Sequence, residues 1–305
     1  LYLLDLPMLR DLDDNSGFYW TAHGWREAWR GAGLFRSIDG GASWAMVDTI
    51  IEGATIGTAT GILGEGPSTL WDEGNTLNIE VLNGELESKT EGEVLAGENA
   101  AAFGRQGRWE IIQFCNAVLE SDGTYTLSKL LRGRRGTNHA VDSHEEGDAF
   151  ILLTMGTIER VETDLDAIGN QFLYKAVSFG NELYDAGYMA FVNSGVGLKP
   201  YSPVHIKGRR DGSGNLTIEW IRRTRRGGDW NDLSDVPLAE AAEAYEIDIM
   251  DGSTVVRTIE ASSETADYTA ADQVTDFGSV QSAVTLKVYQ LSDDIGRGYP
   301  GEATI

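Results

Sequence analysis

The sequence predicts a mainly β protein, built as several sandwich- or barrel-like modules with few short helices. Three observations carry that prediction. Glycine is abundant (37) while proline is scarce (6). Runs of β-branched and aromatic residues recur at short intervals between turns rich in Gly, Asp and Asn, the pattern of an all-β chain. Stretches with helical periodicity are rare.

In chain order, the strands are expected at Gly33–Ser37, Thr76–Leu82, Trp109–Phe114 and Tyr125–Leu127, then at Ala149–Thr154, Phe172–Val177, Leu216–Trp220, Tyr245–Ile249 and Val284–Tyr289. Thr90-Glu-Gly-Glu93 has the spacing of a capping box and predicts a short helix towards Ala96. The alanine-rich Asn99–Phe103 reads as a continuation of that helix after a kink at Gly97. Leu238–Ala244 is a second short helix or an acidic loop.

The clearest boundary lies near residue 200, where Asn193-Ser-Gly-Val-Gly-Leu-Lys-Pro200 reads as a linker. Residues 1–199 form one β-rich region, with a submodule split expected near 62–70. Residues 200–305 have the length of one β-sandwich domain. There Val204 and Ile206, then Leu216, Ile218 and Trp220, then Tyr245, Ile247 and Ile249 alternate as strands. Asp251-Gly252 makes a hairpin turn into Val255-Val256, and a Gly-rich loop follows Ser292. With its early tryptophan and late Gly-rich hairpin, this segment resembles a fibronectin type III module.

The formal net charge is -24, from 24 Lys and Arg against 48 Asp and Glu. That balance excludes general nucleic-acid binding, which needs an extended cationic footprint, and docking on anionic lipid. No apolar run reaches the length of a membrane-spanning helix. The single cysteine, Cys115, excludes an internal disulfide and reads as a small core residue. The chain begins at Leu1 without a methionine, as expected for a piece of a longer polypeptide. Phosphate-loop, zinc-protease and nucleophile-elbow signatures are missing. No cofactor, metal or catalytic residue is therefore expected, and the chain reads as non-enzymatic. Asp11–Gly17 looks superficially like a calcium loop, but its glycine is misplaced and Ala22 stands where the bidentate Glu belongs.

In so acidic a chain the cations are informative where they gather. Lys129, Arg132, Arg134 and Arg135 fall within Leu127-Ser-Lys-Leu-Leu-Arg-Gly-Arg-Arg-Gly-Thr137. Seven more, including Arg222, Arg223 and Arg225, lie between Lys207 and Arg226. Arginine forks grip carboxylates bidentately, so Arg132, Arg134, Arg135, Arg222, Arg223 and Arg225 are candidates for docking a neighbouring domain or subunit. The N-terminal 45 residues are aromatic for their length. Trp20, Trp25 and Trp29 are candidates for stacking on sugar rings, with core packing as the competing use. Ser37-Ile-Asp-Gly-Gly-Ala-Ser-Trp44 fits the Asp-box pattern of sialidases and other propellers, but it occurs once, where a propeller needs a series. It reads as a stiffened hairpin.

The motifs converge on a family. Asp5-Leu-Pro-Met-Leu-Arg-Asp11 with Gly17-Phe-Tyr19 comes first. Asn99-Ala-Ala-Ala-Phe103 leading to Glu110-Ile-Ile-Gln-Phe114 follows, then Tyr125-x-Leu-Ser-Lys-Leu-Leu-Arg-Gly-Arg-Arg-Gly-Thr137. Pro203-Val-His205, Trp220-Ile-Arg-Arg-Thr-Arg225, Gly228-Asp-Trp230, Val236-Pro-Leu238 and Glu243-Ala-Tyr245 complete the series. In this order they resemble the C-terminal part of the large tail-tip, or host-specificity, protein of gene transfer agents and related long-tailed bacteriophages. The resemblance implies a virion component of the distal tail, part of a trimeric baseplate hub, that works outside the cell in host attachment. It implies as partners other tail-tip subunits and a host-surface polysaccharide or receptor. The family's hydrolase-like barrel would lie upstream, so no hydrolase activity is carried over. The alternative reading is an accessory carbohydrate-binding region of a secreted glycan-active enzyme, suggested by the Asp box and the fibronectin-like module.

Overall fold

A computed structural model describes residues 1–24, 29–228 and 235–305. The chain forms two compact units: Leu1–Pro7 with Asn15–Gly197, and Met8–Asp14 with Leu198–Ile305.

The first unit carries strands β1 (Tyr2–Leu4), β2 (Gly17–Thr21), β3 (Ala32–Ser37), β4 (Ala45–Ile50), β5 (Ile56–Ala59), β6 (Asp72–Asn83), β7 (Ala100–Gly104), β8 (Glu110–Leu119), β9 (Tyr125–Arg134), β10 (Ala149–Leu152), β11 (Glu159–Glu162), β12 (Gln171–Ser178) and β13 (Met189–Val192). Its centre is a closed barrel in the order β10-β5-β6-β9-β8-β7, every neighbouring pair antiparallel. Closure leaves the barrel no free edge. Inward positions of successive strands fill it: Leu77 and Ile79, Ala101 and Phe103, Ile112 and Phe114, Leu127 and Leu130, with Phe150. The segment 62–70, where a submodule split is expected, is the connection between the barrel strands β5 and β6.

Two further sheets, β1-β2-β11 and β13-β12-β3-β4, share a second core of Leu3, Phe18, Trp20, Leu34, Val161, Tyr174 and Phe191. Phe18 meets Tyr174 edge-on at 5.3 Å between ring centroids.

Helix α1 (Glu91–Leu95) opens as the capping box requires. Thr90 Oγ1 accepts from the Glu93 amide, and the Glu93 carboxylate accepts from the Thr90 amide. The helix does not resume after Gly97, correcting the expectation for Asn99–Phe103. That segment is β7, laddered to both β8 and β10. Two barrel neighbours offer hydrogen bonds that outweigh the helix preference of three alanines, and Asn99, at φ 55°, turns the chain into the strand.

The second unit holds β14 (Val204–Arg210), β15 (Leu216–Ile221), β16 (Tyr245–Asp251), β17 (Thr254–Ala261), β18 (Thr265–Tyr268), helix α2 (Ala270–Phe277), β19 (Thr285–Ser292), β20 (Gly296–Arg297) and β21 (Gly301–Thr304). A sheet β14-β15-β18 faces a sheet β17-β16-β19-β20, to which β21 adds along β19. Between them lie Ile218, Trp220, Tyr245, Ile247, Tyr268, Leu286 and Val288, with Trp220 edge-on to Tyr245 at 5.0 Å. This is the β-sandwich expected for a fibronectin-like module. Leu238–Ala244 takes the loop alternative. Helix α2 is not foreseen from the sequence, although Thr269 caps its start and Gly278, at φ 80°, ends it.

Candidate functional site

The arginine-rich turn is the end of strand β9, and the fold treats its arginines differently. Arg132 is fully buried. Its Nε and Nη2 donate to the two oxygens of Glu110, each at 2.9 Å, while Nη1 reaches Asp72 Oδ2 at 3.2 Å and the Gly64 carbonyl at 2.9 Å. Nη2 also donates to the Val141 carbonyl. All of these partners belong to the barrel and its loops. Arg132 is therefore corrected from a docking residue to an internal clamp.

Two glycines make the clamp possible. A Cβ on Gly66 would lie 2.2 Å from Asp72 Oδ2, and one on Gly133, which sits at φ +59°, would lie 2.7 Å from the Asn138 Cα. Gly133→Ala is accordingly expected to cost about 1–3 kcal/mol, read as a lowered denaturation midpoint.

The clamp extends into a buried network. His144 Nε2 lies 2.6 Å from Glu110 Oε2, and since an ionised carboxylate only accepts, this nitrogen carries the hydrogen. The ring stacks on Phe103 at 4.3 Å. Its Nδ1 faces Asp148, which takes two hydrogen bonds from Arg108 and one from Arg105. Burial alone would raise the Glu110 carboxyl. Hydrogen bonds from His144 and Arg132, the Arg132 charge and the Gly133 amide outweigh it and hold that carboxyl below the usual range. Asp148 is lowered in the same way, with Arg108 as the main opponent of burial. His144, on the connection between β9 and β10, is thus buried at the centre of this network.

Beyond the clamp, Arg134 is half-buried and donates from Nε to Gln113 Oε1 at 2.9 Å. Burial, helped by the adjacent Arg135, lowers its pKa. Arg135 is exposed, at φ 51°.

In the second unit Arg222, Arg223 and Arg225 follow β15 and turn onto neighbouring loops. Arg222 pairs with Asp235 at 2.6 Å. Arg223 donates to Ser202 and stands over the Tyr201 ring; burial lowers its pKa. Arg225 pairs with the buried Glu240 at 2.8 Å and reaches Met8 Sδ at 3.3 Å. Arg226 pairs with Asp14, and the Gly227 amide donates to Asp11. Asp11–Gly17, the superficial calcium loop, thus contributes to an arginine-held turn. Glu240→Ala would leave the Arg225 guanidinium buried without its carboxylate, and a loss of about 3 kcal/mol is expected by denaturant titration.

The aromatic candidates separate as well. Trp20 is fully buried, and its indole N–H donates to Asp48 at 2.7 Å. It is corrected from a sugar platform to a core residue. Trp29 is half-buried, packs against that core and donates to Ser178 Oγ at 3.0 Å. Trp25 lies outside the described residues, as does Trp230 of the family-like motifs. The Asp box forms the β3–β4 hairpin as its residues require. Asp39 accepts from the Ser37 hydroxyl and from both the amide and hydroxyl of Ser43, while Trp44 Nε1 donates to the Gly41 carbonyl at 3.2 Å. The two Ser43 hydrogen bonds, then the one from Ser37, hold the Asp39 carboxyl well below the ordinary range.

The fold and these sites define a multi-module β protein whose charged residues chiefly hold its own loops. Residues 54–151, essentially the barrel, match the family described as Rcc01698-like, C-terminal. That match is consistent with a protein related to gene transfer agents. Among curated proteins, none matches in sequence. Among solved structures, the rat CD45 extracellular domains d3–d4 are similar at 13% identity and TM-score 0.26, covering 44% of this chain and 62% of that one. The chicken CNTN1 FN1–FN3 domains are similar at 12% identity and TM-score 0.26, covering 98% and 95%. Domains A168–A170 of titin are similar at 8% identity and TM-score 0.25, covering 83% and 98%. No helix among the described residues is long and apolar enough to cross a membrane.

Proposed function

We propose that this chain is a structural component of a phage-like tail tip, working in host attachment and not in catalysis. The observation that carries the reading is the family match over 54–151, together with the ordered tail-tip-like motifs on either side of it. The barrel suits such a role. Closed on itself and clamped by Arg132, it is a stiff body whose strand edges are paired within the barrel. Three copies would surround the tail axis, with Arg134 and Arg135, on the turn that closes β9, meeting an adjacent subunit.

Immunogold labelling of intact particles with an antibody to this chain tests the reading. Label at the distal tail is expected; label on the head, or particles free of the chain, would overturn it. Reversing Arg134 and Arg135 to glutamate is expected to lower the yield of complete tails, and normal tails would remove their docking role.

One observation favours the accessory region of a glycan-active enzyme: the single Asp-box hairpin. Further Asp boxes elsewhere in the full-length gene would support it, and adjoining tail genes would support the virion.

A further inference from the structure

Outside the clamp and the arginine loops, one surface is built with unusual care: the outer face of the sheet β13-β12-β3-β4. Leu34 and Tyr174 point into the core. Their chain neighbours Phe35 and Lys175 therefore lie on the opposite face, where the register pairs Phe35 with both Lys175 and Met46.

Lys175 is buried without a carboxylate partner among the described residues. Its ammonium donates to the Leu183 carbonyl at 2.8 Å, lies 4.0 Å from the centroid of the Trp44 ring and 5.6 Å from that of Tyr184. One buried cation thus ties the connection 179–188 to the Asp-box hairpin. Above it, Tyr184 is 83% exposed and Tyr188 63%, and the Tyr188 ring stands 6.0 Å from Trp44 at an interplanar angle of 43°. Trp44 is itself held from behind by the Gly41 carbonyl. Side chains this apolar and this exposed, fixed from two sides, are pre-organised for contact.

We propose that Trp44, Tyr184 and Tyr188 form a stacking platform for a neutral glycan. Sugar C–H faces lie against aromatic rings, and sugar hydroxyls need acceptors close by. The two loops that present the rings also carry Asp39, Ser43, Asn181, Glu182 and Asp185. Charge selects a neutral sugar: those loops supply three carboxylates and no Lys or Arg of their own, Lys175 beneath the rings is buried, and the chain carries -24 overall. A cationic guest is excluded because Lys175 already occupies the cation position of the cage. A protein partner fits poorly, because three partly exposed rings offer far less than the roughly 800 Å² per partner of a stable interface. The platform takes its biological setting from the attachment reading, but binding by the isolated chain is measured without particles, so the two fail separately.

The full chain is applied to an array of neutral gluco-, manno-, galacto- and rhamno-oligosaccharides beside uronic-acid oligomers. Positives are titrated by calorimetry with Tyr184→Ala, Tyr188→Ala and Trp44→Phe. Binding to a neutral class is expected, weakened roughly three- to tenfold by each Tyr→Ala change, with thermal melting unchanged for Tyr184→Ala because that side chain is mostly in solvent. Three results would each overturn the platform: no binding to any member, binding confined to uronic acids, or binding indifferent to both tyrosines. Sedimentation showing self-association that Tyr188→Ala abolishes, with no glycan bound, would make the face an interface between copies and overturn it too.

Discussion

Replacing Arg132 by methionine is expected to destabilise the barrel by about 3–5 kcal/mol, the cost of removing one partner of a buried ion pair. The substitution fills the space of the stem but leaves the Glu110 carboxylate, fully buried, without two of its hydrogen bonds, and Asp72 without one. A double variant, Arg132→Met with Glu110→Gln, is expected to recover part of the loss, because a neutral amide is cheaper to bury than an orphaned carboxylate. The pH dependence gives an independent check. Glu110 is held below its ordinary pKa in the folded barrel. Its contribution to stability is therefore full above the unfolded value of about 4.3 and disappears as pH falls through the lower folded value. The gap between wild type and Arg132→Met should be widest near neutrality and narrow below about pH 4. Denaturant titrations at pH 7 and pH 3.5 measure it, and an equal gap at both would mean that Arg132 acts by packing its stem.

The clamp also marks where the sequence is legible and where it is not. The strand positions could be read because a period of two survives in residues such as Leu216, Ile218 and Trp220, and Thr90 and Glu93 announce a cap that the fold makes. The gathering of cations in 129–135 is visible too, along with its preference for an acidic neighbour. What composition cannot show is on which side of the backbone a partner lies. Glu110 and Asp72 reach Arg132 through antiparallel pairing with β8 and β6 and a bulge that shifts the register beside Asp72. Long-range pairing of that kind leaves no local trace. The same limit misplaced Asn99–Phe103, whose local signal is helical and whose strand form depends on two barrel neighbours. It hid the aromatic cluster as well: Trp44 is prominent in the sequence, whereas Tyr188 reaches it, and Tyr184 shares Lys175 with it, only through the folded chain.

Trp20→Ala is expected to cost the N-terminal sandwich about 3–5 kcal/mol, the range for deleting a large buried aromatic side chain. Trp20 sits in the middle of β2, between Leu3 of β1 and Glu159 of β11, so the void would open at the heart of the core and not at its rim. The Asp48 carboxylate would lose its indole donor at the same time. Trp20→Phe, which retains most of the ring volume, should lose appreciably less. Near-ultraviolet circular dichroism and urea denaturation separate this change from one at the surface. Tyr184→Ala should leave both signals untouched and weaken only glycan binding, whereas Trp20→Ala should lower the midpoint and weaken binding only where the sandwich has melted. If Trp20→Ala kept the wild-type midpoint, the burial assigned to this indole would be wrong, and its use as a sugar platform would reopen. Trp220, which packs in the separate core of the second unit, supplies the internal control: its environment should be unchanged in Trp20→Ala, because the two cores share no side chain.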